Sequence, residues 1–510
     1  MQKNNARLYV IGAGFAGQMI ARDIKRKKIF GTVAAFLDDD KSRIGTQIDG
    51  IPVLGPIDDA ANVLRCARGD EAIIAMPSAP VERIRALYEM LRQAGFLRIR
   101  IVPSVSQIVD GNAHLVQTRE IDPLDILGRT PVTVPLHESL QYLRHKRVLI
   151  TGAGGSIGSE LARQLLSGGA ERLYLFGHGE NSIVGIYREL VVLQNEGVGE
   201  KATVVPIVGD MKDARYVDYI IEQTRADVIF HCAAYKHVPM LEENPVAAIE
   251  NNVFGTKHLL DASLRHGVRR FVLISTDKAV EPVSVYGTSK MLCEKLVLHA
   301  ARSARDGQSF MFVRFGNVLG SRGSILPLFM NQIKNGGPVT VTDPGMERFF
   351  MTIPEACSLV LEAGGVGENG RSYLLDMGEP VKIMDLAEQL IAFSGLEPHK
   401  DIEIKIIGAR EGERLEEPLW LAEEEPTKTA YEKILQLKNI EMDGDALRAL
   451  LDALRPVCFF TAEDAVAFRN KERLIATLRA AVPTLDDYYR KSAETANIID
   501  RETNLTRVTL

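Results

Sequence analysis

Short apolar runs alternate with amphipathic stretches over much of the chain. Between residues 146 and 315 the apolar runs are predicted strands, namely Arg147–Thr151, Arg172–Phe176, Ala202–Val208, Val228–Cys232, Arg270–Ser275 and Met311–Phe315. Helical patterns separate them, including Ile157–Leu166, Pro245–Leu264 and Tyr286–Ala301. Alternating strands and helices predict a parallel, doubly wound sheet.

The same alternation occurs near the start of the chain. Predicted strands there are Arg7–Ile11, Val33–Leu37, Glu71–Met76 and Arg98–Val102, and an amphipathic stretch to Lys28 lies between the first two. The fold class predicted for the whole chain is therefore α/β, with two Rossmann-type doubly wound parallel-sheet domains in tandem.

The alternation breaks down in three regions. Residues from about 104 to 146 show no clean periodicity and predict an ordered connector, as in Val105–Asp110 and Glu120–Arg129. After Asn317 a mixed region with Gly336-Gly337-Pro338 predicts a smaller substrate-binding lobe. The remaining patterns predict a helical tail with Asp443–Leu454, Ala462–Leu478 and Leu485–Ala493, frayed after Ile498. The expected domains are a nucleotide-binding domain at 1–103, a connector at 104–146, a catalytic domain with its lobe at 147–425 and a helical extension at 426–510.

Composition narrows the class of protein. The chain has 510 residues, 46% of them hydrophobic, so two or three domains are expected. A net charge of −6 gives no basic face for nucleic acid. Five cysteines lie far apart without a C-x-x-C, which argues against a metal site or a disulfide framework and favours a reducing compartment. We predict no signal peptide and no membrane span, and a cytoplasmic location that leaves docking at the inner face of the membrane open.

A glycine-rich turn follows the predicted strand Arg147–Thr151. Its residues are Gly152-Ala153-Gly154-Gly155-Ser156-Ile157-Gly158, and they open a predicted helix. Glycines let a pyrophosphate approach the helix N-terminus, where free N–H groups and the dipole favour anions. The alternative is a tight turn without a ligand, but the strand–turn–helix context favours a dinucleotide held by Gly152, Gly155, Ser156, Ile157 and Gly158.

The type of dinucleotide is less clear. The next strand ends in Gly177-His178-Gly179-Glu180 and has no acid at its tip. An acid there would bind the ribose hydroxyls of NAD and repel the 2′-phosphate of NADP, so its absence slightly favours NADP. No arginine that could bind the 2′-phosphate replaces it. Asp210 either accepts from the adenine amino group or caps a helix. Ala233 and Ala234 are small enough for the backbone to lie against the cofactor, and Lys236 just after them is a candidate substrate contact.

Tyr286 and Lys290 are four residues apart on a predicted helix and therefore share a face. A nearby ammonium lowers the pKa of a phenol and makes it a usable base. The pair alone is a weak signal, but it follows a strand whose end carries the Thr276 hydroxyl, at the sheet edge where α/β proteins bind ligands.

Asp277 and Lys278 come directly after Thr276. They are either a solvated turn pair or an acid and a base for eliminating water from a 4-keto sugar. The ammonium should lower the pKa of the carboxyl, so an acid role requires burial or a shared proton.

Several other polar residues are expected near the same cleft. His231 is interpreted as a hydrogen-bonded structural residue, and Asn252 could support the Tyr286 helix through water. Arg348 and Arg410 could clamp a diphosphate, although lone arginines are more often surface residues.

The first Rossmann-type unit has a glycine-rich turn of its own. Gly12, Gly14 and Gly17 follow its first strand, and Asp38 lies about 20 residues on. The unit is either a second nucleotide site or a scaffold that keeps the fold without a ligand.

Together these residues resemble the extended short-chain dehydrogenase/reductase family and, within it, the CapD-like UDP-N-acetylglucosamine 4,6-dehydratases of polysaccharide biosynthesis. The most specific stretch is Ser-Thr-Asp-Lys-Ala-Val-x-Pro at 275–282. The others are Leu149–Glu160, His231–Asn244, Arg314–Ser324, Glu347–Ala356, Leu375–Leu390 and Gly408–Glu417. The connector stretch Glu120–Val132 and the first unit resemble the long, two-domain form of the family.

The resemblance implies a role for each matching residue. Tyr286 would deprotonate the 4-hydroxyl while hydride leaves C4 for NAD or NADP, and Lys290 would tune Tyr286 and hold the nicotinamide ribose. Lys278 would be the base at C5 and Asp277 the acid at O6, after which hydride returns to C6. The UDP-sugar contacts would be Asn317, Arg348 and Glu413. A tightly bound cofactor that is regenerated at each turnover and a homo-oligomer are also expected.

Two departures from the family pattern and two other functions remain open. Long forms usually carry transmembrane helices before the first unit. They also often have Met at the position of Tyr286 and retain the configuration at C5, whereas short soluble forms have Tyr and often invert it, so the configuration at C5 is open.

A nucleotide-sugar 4-epimerase or simple oxidoreductase would need Tyr286 and Lys290 but not Asp277 and Lys278. A non-catalytic nucleotide sensor would bind cofactor without turnover.

Overall fold

A computed structural model describes residues 7–27, 31–64, 70–76, 79–96, 98–102, 119–120, 140–199, 201–394 and 396–490. The described chain divides into two compact units. Unit 1 comprises the described residues within 1–141, 166–169 and 189–201. Unit 2 comprises those within 142–165, 170–188 and 202–510.

Unit 1 contains a sheet whose described strands have the order β3-β4-β2-β1-β5-β6-β7. The strands are β1 (Arg7–Ile11), β2 (Thr32–Leu37), β3 (Gln47–Ile48), β4 (Ile51–Leu54), β5 (Glu71–Ile74), β6 (Arg98–Ile101) and β7 (Arg119–Glu120). The helices are α1 (Phe15–Lys27), α2 (Ala60–Val63) and α3 (Val81–Gln93), with a 3-10 turn at Ile57–Asp59. Neighbours from β4 to β6 pair in parallel, and β3 and β7 pair antiparallel at the edges. The predicted parallel sheet is confirmed.

Both faces of the unit 1 sheet are buried. Successive residues of a strand point to opposite faces, and here they enter two separate clusters. Tyr9 and Ile11 pack in one cluster with Leu37, whereas Leu8 and Val10 pack in the other. Burial on both sides is characteristic of a parallel sheet covered by helices.

Unit 2 contains a larger sheet and three small ones. Its strands are β8 (Arg147–Thr151), β9 (Arg172–Gly177), β10 (Thr203–Val208), β11 (Val228–His231), β12 (Arg270–Ile274), β13 (Ser309–Arg314), β14 (Asn317–Leu319), β15 (Val339–Val341), β16 (Glu347–Arg348), β17 (Phe350–Thr352), β18 (Ser372–Leu375), β19 (Val381–Lys382), β20 (Ile404–Ile406), β21 (Thr427–Lys428) and β22 (Ile434–Leu437). The described strands of the large sheet have the order β10-β9-β8-β11-β12-β13-β18-β22-β21. The chain moves outward from β8 to β10 and then returns to β11 beside β8. Ligands bind at such a reversal in α/β sheets.

The helices of unit 2 cover this sheet and continue into the tail. They are α4 (Ser156–Ser167), α5 (Glu180–Asn195), α6 (Ala214–Thr224), α7 (Val238–Glu243), α8 (Pro245–Ala248), α9 (Gly255–His266), α10 (Val285–Arg302), α11 (Ile325–Lys334), α12 (Ile353–Val366), α13 (Ile383–Phe393), α14 (Gly444–Cys458) and α15 (Lys471–Ala481). The last residues of α4 (166–167) and of α5 (189–195) are assigned to unit 1. Short 3-10 turns lie at Gln141–Leu143, Asp277–Ala279 and Ala422–Glu424, and residues 483–490 are helical. The predicted helix Pro245–Leu264 is present as an uninterrupted helical run from Pro245 to His266, made of α8, a π-helical turn at Ile249–Phe254 and α9.

The parallel sheet extends further than the sequence pattern indicated. After the lobe strand β17 the chain forms α12 and then β18, which pairs in parallel with β13. The antiparallel strand β22 follows on its other side. The alternation therefore resumes after Asn317. The small pairs β14–β17, β15–β20 and β16–β19 interrupt the pattern and conceal this in the sequence.

A buried arginine connects three parts of unit 2. Arg314 at the end of β13 is 2% exposed and donates to Glu294 of α10 at 2.8 Å and to Glu424 at 2.7 Å. Glu294 also accepts a hydrogen bond from Ser275 at 2.6 Å. Removing one member would leave an unpaired buried charge, so we interpret Arg314 as a structural residue.

The tail helices differ from their predicted bounds. The predicted helix Ala462–Leu478 begins only at Lys471, because Asn470 caps it by accepting from the Arg473 N–H at 2.8 Å and Arg469 is left-handed at φ 61°. The predicted Leu485–Ala493 is helical from 483 to 490. Its last residues, the tail after Ile498 and the predicted connector between residues 104 and 139, apart from Arg119–Glu120, lie outside the described residues. Within the part of the chain that the structure describes, no helix is long and apolar enough to cross a membrane.

Candidate active site

A cavity of about 930 Å³ lies at the carboxyl ends of β8, β11, β12 and β13. One end is formed by the glycine-rich turn after β8, at the N-terminus of α4, with Gly152, Gly155, Ser156, Ile157 and Gly158 in its wall. Other walls come from α7, the 3-10 turn after β12, the start of α10 and the lobe. The sequence analysis predicted that the glycine-rich turn and the Tyr286 helix meet at one edge of the sheet, and in the structure both line this cavity.

The turn requires glycine at two positions, because backbone atoms lie close to both of them. Gly152 is left-handed at φ 65°, and a Cβ there would lie 2.8 Å from the backbone N of Ala233. A Cβ at Gly158 would lie 2.4 Å from the Gly152 carbonyl oxygen. The helix N-terminus beside the turn offers free N–H groups to an anion. These residues fit the pyrophosphate of a dinucleotide.

His231 at the end of β11 is part of the support beneath this turn. Its Nδ1 lies 2.7 Å from Thr151 Oγ1 and its Nε2 lies 2.8 Å from Thr256 Oγ1. Burial, followed by the charge of Lys290, lowers the pKa of His231 to about 3, so the imidazole is neutral at physiological pH. The geometry agrees with the structural interpretation of this histidine.

Asn252 contacts the Tyr286 helix directly rather than through water. Its amide group donates to Ser289 Oγ at 2.9 Å and exchanges two hydrogen bonds with the Tyr235 backbone. Asn252 lies in the π-helical turn Ile249–Phe254. Such turns re-aim side chains and occur frequently at functional sites. Here the turn ties α10 to the chain segment after β11.

Tyr286 and Lys290 both line the cavity on the first turns of α10. Ser284 caps this helix by accepting from the Gly287 N–H at 3.0 Å. Burial raises the pKa of Tyr286 to about 12, although the charge of Lys278 and a hydrogen bond with Thr276 oppose the shift. Burial lowers the pKa of Lys290, whose Nζ donates to the Ile274 carbonyl at 2.7 Å. The cation that acts most strongly on Tyr286 here is therefore Lys278.

Asp277 and Lys278 are not a solvated turn pair. Lys278 lines the cavity and donates to Asp277 Oδ1 at 3.1 Å, and Thr276 donates to the same oxygen at 2.8 Å. Asp277 is 0% exposed and lies beneath Lys278, with Oδ2 buried and unpartnered among the described residues. This placement differs from the expectation that Asp277 itself reaches the sugar O6. In the structure the carboxyl would act on a ligand through Lys278.

Glu417 is a cavity residue for which the sequence analysis predicted no role. It is 8% exposed, and its carboxylate lies 3.6 Å from Lys278 Nζ and 3.6 Å from Arg348. Burial disfavours the charged amine of Lys278, but the carboxylates of Asp277 and Glu417 outweigh it and raise the pKa of Lys278 above its usual value. In the free cavity Lys278 is therefore an ammonium held between two carboxyl groups.

This arrangement predicts the effect of removing one carboxylate. In Glu417→Gln the pKa of Lys278 should fall, because Glu417 raises it in the native protein. Competitive labelling with an amine-reactive reagent reports this directly, since only the neutral amine reacts, and its midpoint pH should be lower than in the native protein. Glu416→Gln is the matched control on the exposed neighbour and should leave the midpoint unchanged. An unchanged or higher midpoint in Glu417→Gln would contradict the geometry.

The predicted substrate contacts all line the same cavity, but their side chains also have protein partners. Arg348 donates to three backbone carbonyls, of Glu347, Arg414 and Leu415, at 2.6–2.7 Å. Asn317 accepts from Lys278 at 3.3 Å. Lys236 donates to Ser321 at 3.3 Å, and Glu413 accepts from the Arg410 N–H at 3.3 Å. Arg348 thus fixes the 414–417 segment as well as facing the cavity.

Two predicted cofactor contacts lie outside the cavity lining. Ala233 packs with its backbone against Gly152, while its neighbours Cys232 and Ala234 line the cavity. Asp210 accepts from the Lys212 N–H at 2.9 Å and pairs with the Lys212 amine at 3.4 Å. The helix-cap alternative for Asp210 is wrong, because Asp213 caps α6. The adenine contact stays a prediction.

The glycine-rich turn of unit 1 has the expected local shape. Gly12 is left-handed at φ 102°, and a Cβ at Gly17 would lie 2.0 Å from the Gly12 carbonyl oxygen, whereas Gly14 has open space around it. Asp38 at the end of β2 accepts from the Ala13 N–H at 2.7 Å and pairs with Arg43 at 3.5 Å. Asp38 therefore stabilises the turn itself, and nucleotide binding there stays a prediction.

Two known families match separate parts of the chain. Residues 148–439 match a family described as polysaccharide biosynthesis protein, and residues 2–103 match one described as CoA-binding domain. The first match covers most of unit 2, including the cavity.

Similar proteins have related descriptions. The chain is 38% identical to the probable polysaccharide biosynthesis protein EpsC of Bacillus subtilis, over 88% of this chain and 74% of that protein. It is 39% identical to the capsular polysaccharide biosynthesis protein CapD of Staphylococcus aureus, over 84% of this chain and 71% of that protein. The solved structure of Pen from Bacillus thuringiensis is 32% identical, with a TM-score of 0.52, over 58% of this chain and 90% of Pen.

Proposed function

This chain belongs to the CapD- and EpsC-like polysaccharide biosynthesis protein family of nucleotide-sugar dehydratases and epimerases with the extended short-chain dehydrogenase/reductase fold, and from that premise we propose that it is a UDP-N-acetylglucosamine 4,6-dehydratase. Its product would be UDP-2-acetamido-2,6-dideoxy-4-hexulose. The observation that supports this most is that Lys278, paired with the buried Asp277, lines the same cavity as Tyr286. A simple 4-oxidation needs no such pair.

The glycine-rich turn and α10 would hold the cofactor. Gly152 and Gly155 would let a pyrophosphate approach the backbone, the N–H groups at the start of α4 would bind it, and Lys290 would contact the ribose of the nicotinamide. A bound NAD or NADP supplies a hydride acceptor for the sugar C4 and later a hydride donor for C6. Tyr286 would take the proton of the 4-hydroxyl. Because the product keeps a 4-keto group, the balancing proton would be delivered to C5 when the hydride reaches C6, and Tyr286 would lose its extra proton at that stage.

Tyr286 needs help to act as a base. Its pKa of about 12 keeps the phenol protonated in the free cavity, chiefly because the ring is buried. The positive charge of Lys278 already favours the phenolate, and a cationic nicotinamide beside the ring would favour it further. We therefore propose that Tyr286 deprotonates the sugar only in the loaded site.

The elimination step would use Lys278 and Asp277 as one proton-sharing unit. Transfer of a proton across the 3.1 Å contact leaves a neutral amine and a protonated carboxyl. The amine then takes the proton from the sugar C5, and the C6–O6 bond breaks as Lys278 supplies a proton to O6. One proton is taken and one is given, so the unit ends as it began and water leaves. The proton is held on Asp277 only during the elimination, and its return to Lys278 afterwards restores the ammonium.

Incubation of the purified protein with UDP-N-acetylglucosamine tests this proposal. Dehydration lowers the mass of the sugar nucleotide by one water, whereas epimerisation leaves it unchanged. Proton NMR of the product formed in D₂O should show deuterium at C5 and reports the configuration there. A product of unchanged mass would favour the 4-epimerase alternative, and bound cofactor without any product would favour the nucleotide sensor.

A further inference from the structure

The helix at residues 483–490 lies beyond the family match and makes three hydroxyl contacts with segments that border the cavity. Thr484 donates to the Pro282 carbonyl at 2.9 Å. The Tyr488 hydroxyl accepts from the Gly412 N–H at 2.7 Å. Tyr489 donates to Glu242 at 2.6 Å. The contacts reach three different parts of unit 2, which lie far apart along the chain.

One of these contacts continues to the start of the Tyr286 helix. The second oxygen of Glu242 accepts from the Val285 N–H at 2.7 Å, and Val285 is the first residue of α10. Burial raises the pKa of Glu242, and the hydrogen bonds from Tyr489 and Val285 oppose that shift by stabilising its charged form. Tyr489 thus acts through one buried carboxyl group on the residue next to Tyr286.

A second contact fixes the cavity loop Arg410–Glu413. Gly412 is left-handed at φ 80°, and a Cβ there would lie 2.9 Å from Val238 and 3.0 Å from the Ser284 Cβ. The loop, the start of α7 and the cap of α10 therefore meet at this glycine. Arg410, Gly412 and Glu413 all line the cavity. The only group shown to satisfy the Gly412 N–H in the described structure is the Tyr488 hydroxyl.

We propose that the helix at 483–490 is a positioning element for the sugar nucleotide, which holds the Arg410–Glu413 loop and the start of α10 in their binding arrangement. The inference rests on the proposed function, because it assumes that the cavity beside this loop takes a UDP-sugar. Among the described residues, no hydrogen bond joins this helix to the glycine-rich turn that would hold the dinucleotide. Loss of the Tyr488 hydroxyl should therefore weaken the sugar nucleotide selectively.

The test is Tyr488→Phe in the full chain. We expect the dissociation constant of UDP, measured by calorimetry, to rise about fivefold, as for the loss of one hydrogen bond. The KM for the UDP-sugar should rise by a similar factor with kcat nearly unchanged, and dinucleotide affinity should stay the same. Hydrogen exchange of a peptide that covers residues 408–417 should become faster. Tyr219→Phe makes the same chemical change on an exposed side chain of α6 and should have none of these effects.

Two outcomes would overturn the proposal. Native UDP affinity together with native exchange at 408–417 would show that the hydroxyl does not position the loop. An equal loss of UDP and dinucleotide affinity with a lower melting temperature would show only a general structural role. If Tyr488→Phe fails to fold, Thr484→Val tests the same helix through Pro282. Hydrogen exchange does not require turnover, so it tests the positioning of the loop even if the protein is not a dehydratase. Failure of the proposed function would appear separately, as a product of unchanged mass.

Discussion

Replacing Tyr286 by Phe is expected to lower turnover of UDP-N-acetylglucosamine by about 10²–10⁴-fold, the usual contribution of a positioned acid–base group. The phenol is 8% exposed and packs at the start of α10, so the loss of one hydroxyl should leave the fold and dinucleotide binding intact. The 4-hydroxyl would then have no proton acceptor, and both oxidation at C4 and the later elimination should stop together.

Product mass over time and dinucleotide affinity are the two measurements. Tyr219→Phe serves again as the control, because its ring is 54% exposed on α6. Native turnover in Tyr286→Phe would remove the hydroxyl from the mechanism. A loss of turnover accompanied by lost dinucleotide binding would assign Tyr286 to binding rather than to proton transfer.

The second large effect is expected from Lys278→Met, which keeps most of the length of the side chain and removes its amine. Dehydration should fall by about 10²–10⁴-fold, because the amine lines the cavity and Asp277 beneath it has no exposed surface. Oxidation at C4 should become slower, because Tyr286 loses the charge of Lys278 that favours its phenolate, but it should persist, since Tyr286 and Lys290 are unchanged. The loaded variant should therefore build up the absorbance of reduced nicotinamide when substrate is added, without losing water from the sugar.

This variant separates the dehydratase from the other nucleotide-sugar enzymes. An epimerase would still turn over in Lys278→Met, more slowly because Tyr286 loses a nearby positive charge, and it would release the 4-epimer at unchanged mass. Lys257→Met is the matched control, on a partly exposed face of α9 where the amine pairs with Asp261 at 2.6 Å. Normal dehydration by Lys278→Met would contradict the proton-sharing role of the pair.

The local patterns of the sequence were enough to predict both sheets and most of the cavity. The turn Gly152–Gly158 lies between a strand and a helix, and Tyr286 and Lys290 lie four apart on α10. Each of these signals is contained in a few neighbouring residues, so a periodicity or a spacing reveals it. The order of the strands then brings the segments to one edge of the sheet.

Contacts between distant segments could not be predicted in this way. Glu417 lies in a run with Glu411, Glu413 and Glu416, and nothing local distinguishes the one carboxylate that is buried beside Lys278. The burial of Asp277 beneath Lys278 depends on how β12 and its 3-10 turn pack. The contact of Tyr489 with Glu242 joins residues 247 positions apart. Such pairings follow from tertiary packing, which a single sequence does not reveal.

The charge cluster at Arg314 sets a limit on how far the protein can be shortened. A truncated version that stops before Glu424 would leave the guanidinium without one of its two carboxylates, in a place that water does not reach. Breaking a buried pair of this kind costs about 3–5 kcal/mol, which is a large part of the stability of an ordinary domain. The smallest version that still folds around Tyr286 should therefore extend past Glu424, and limited proteolysis of the native protein should yield no stable fragment that ends before it.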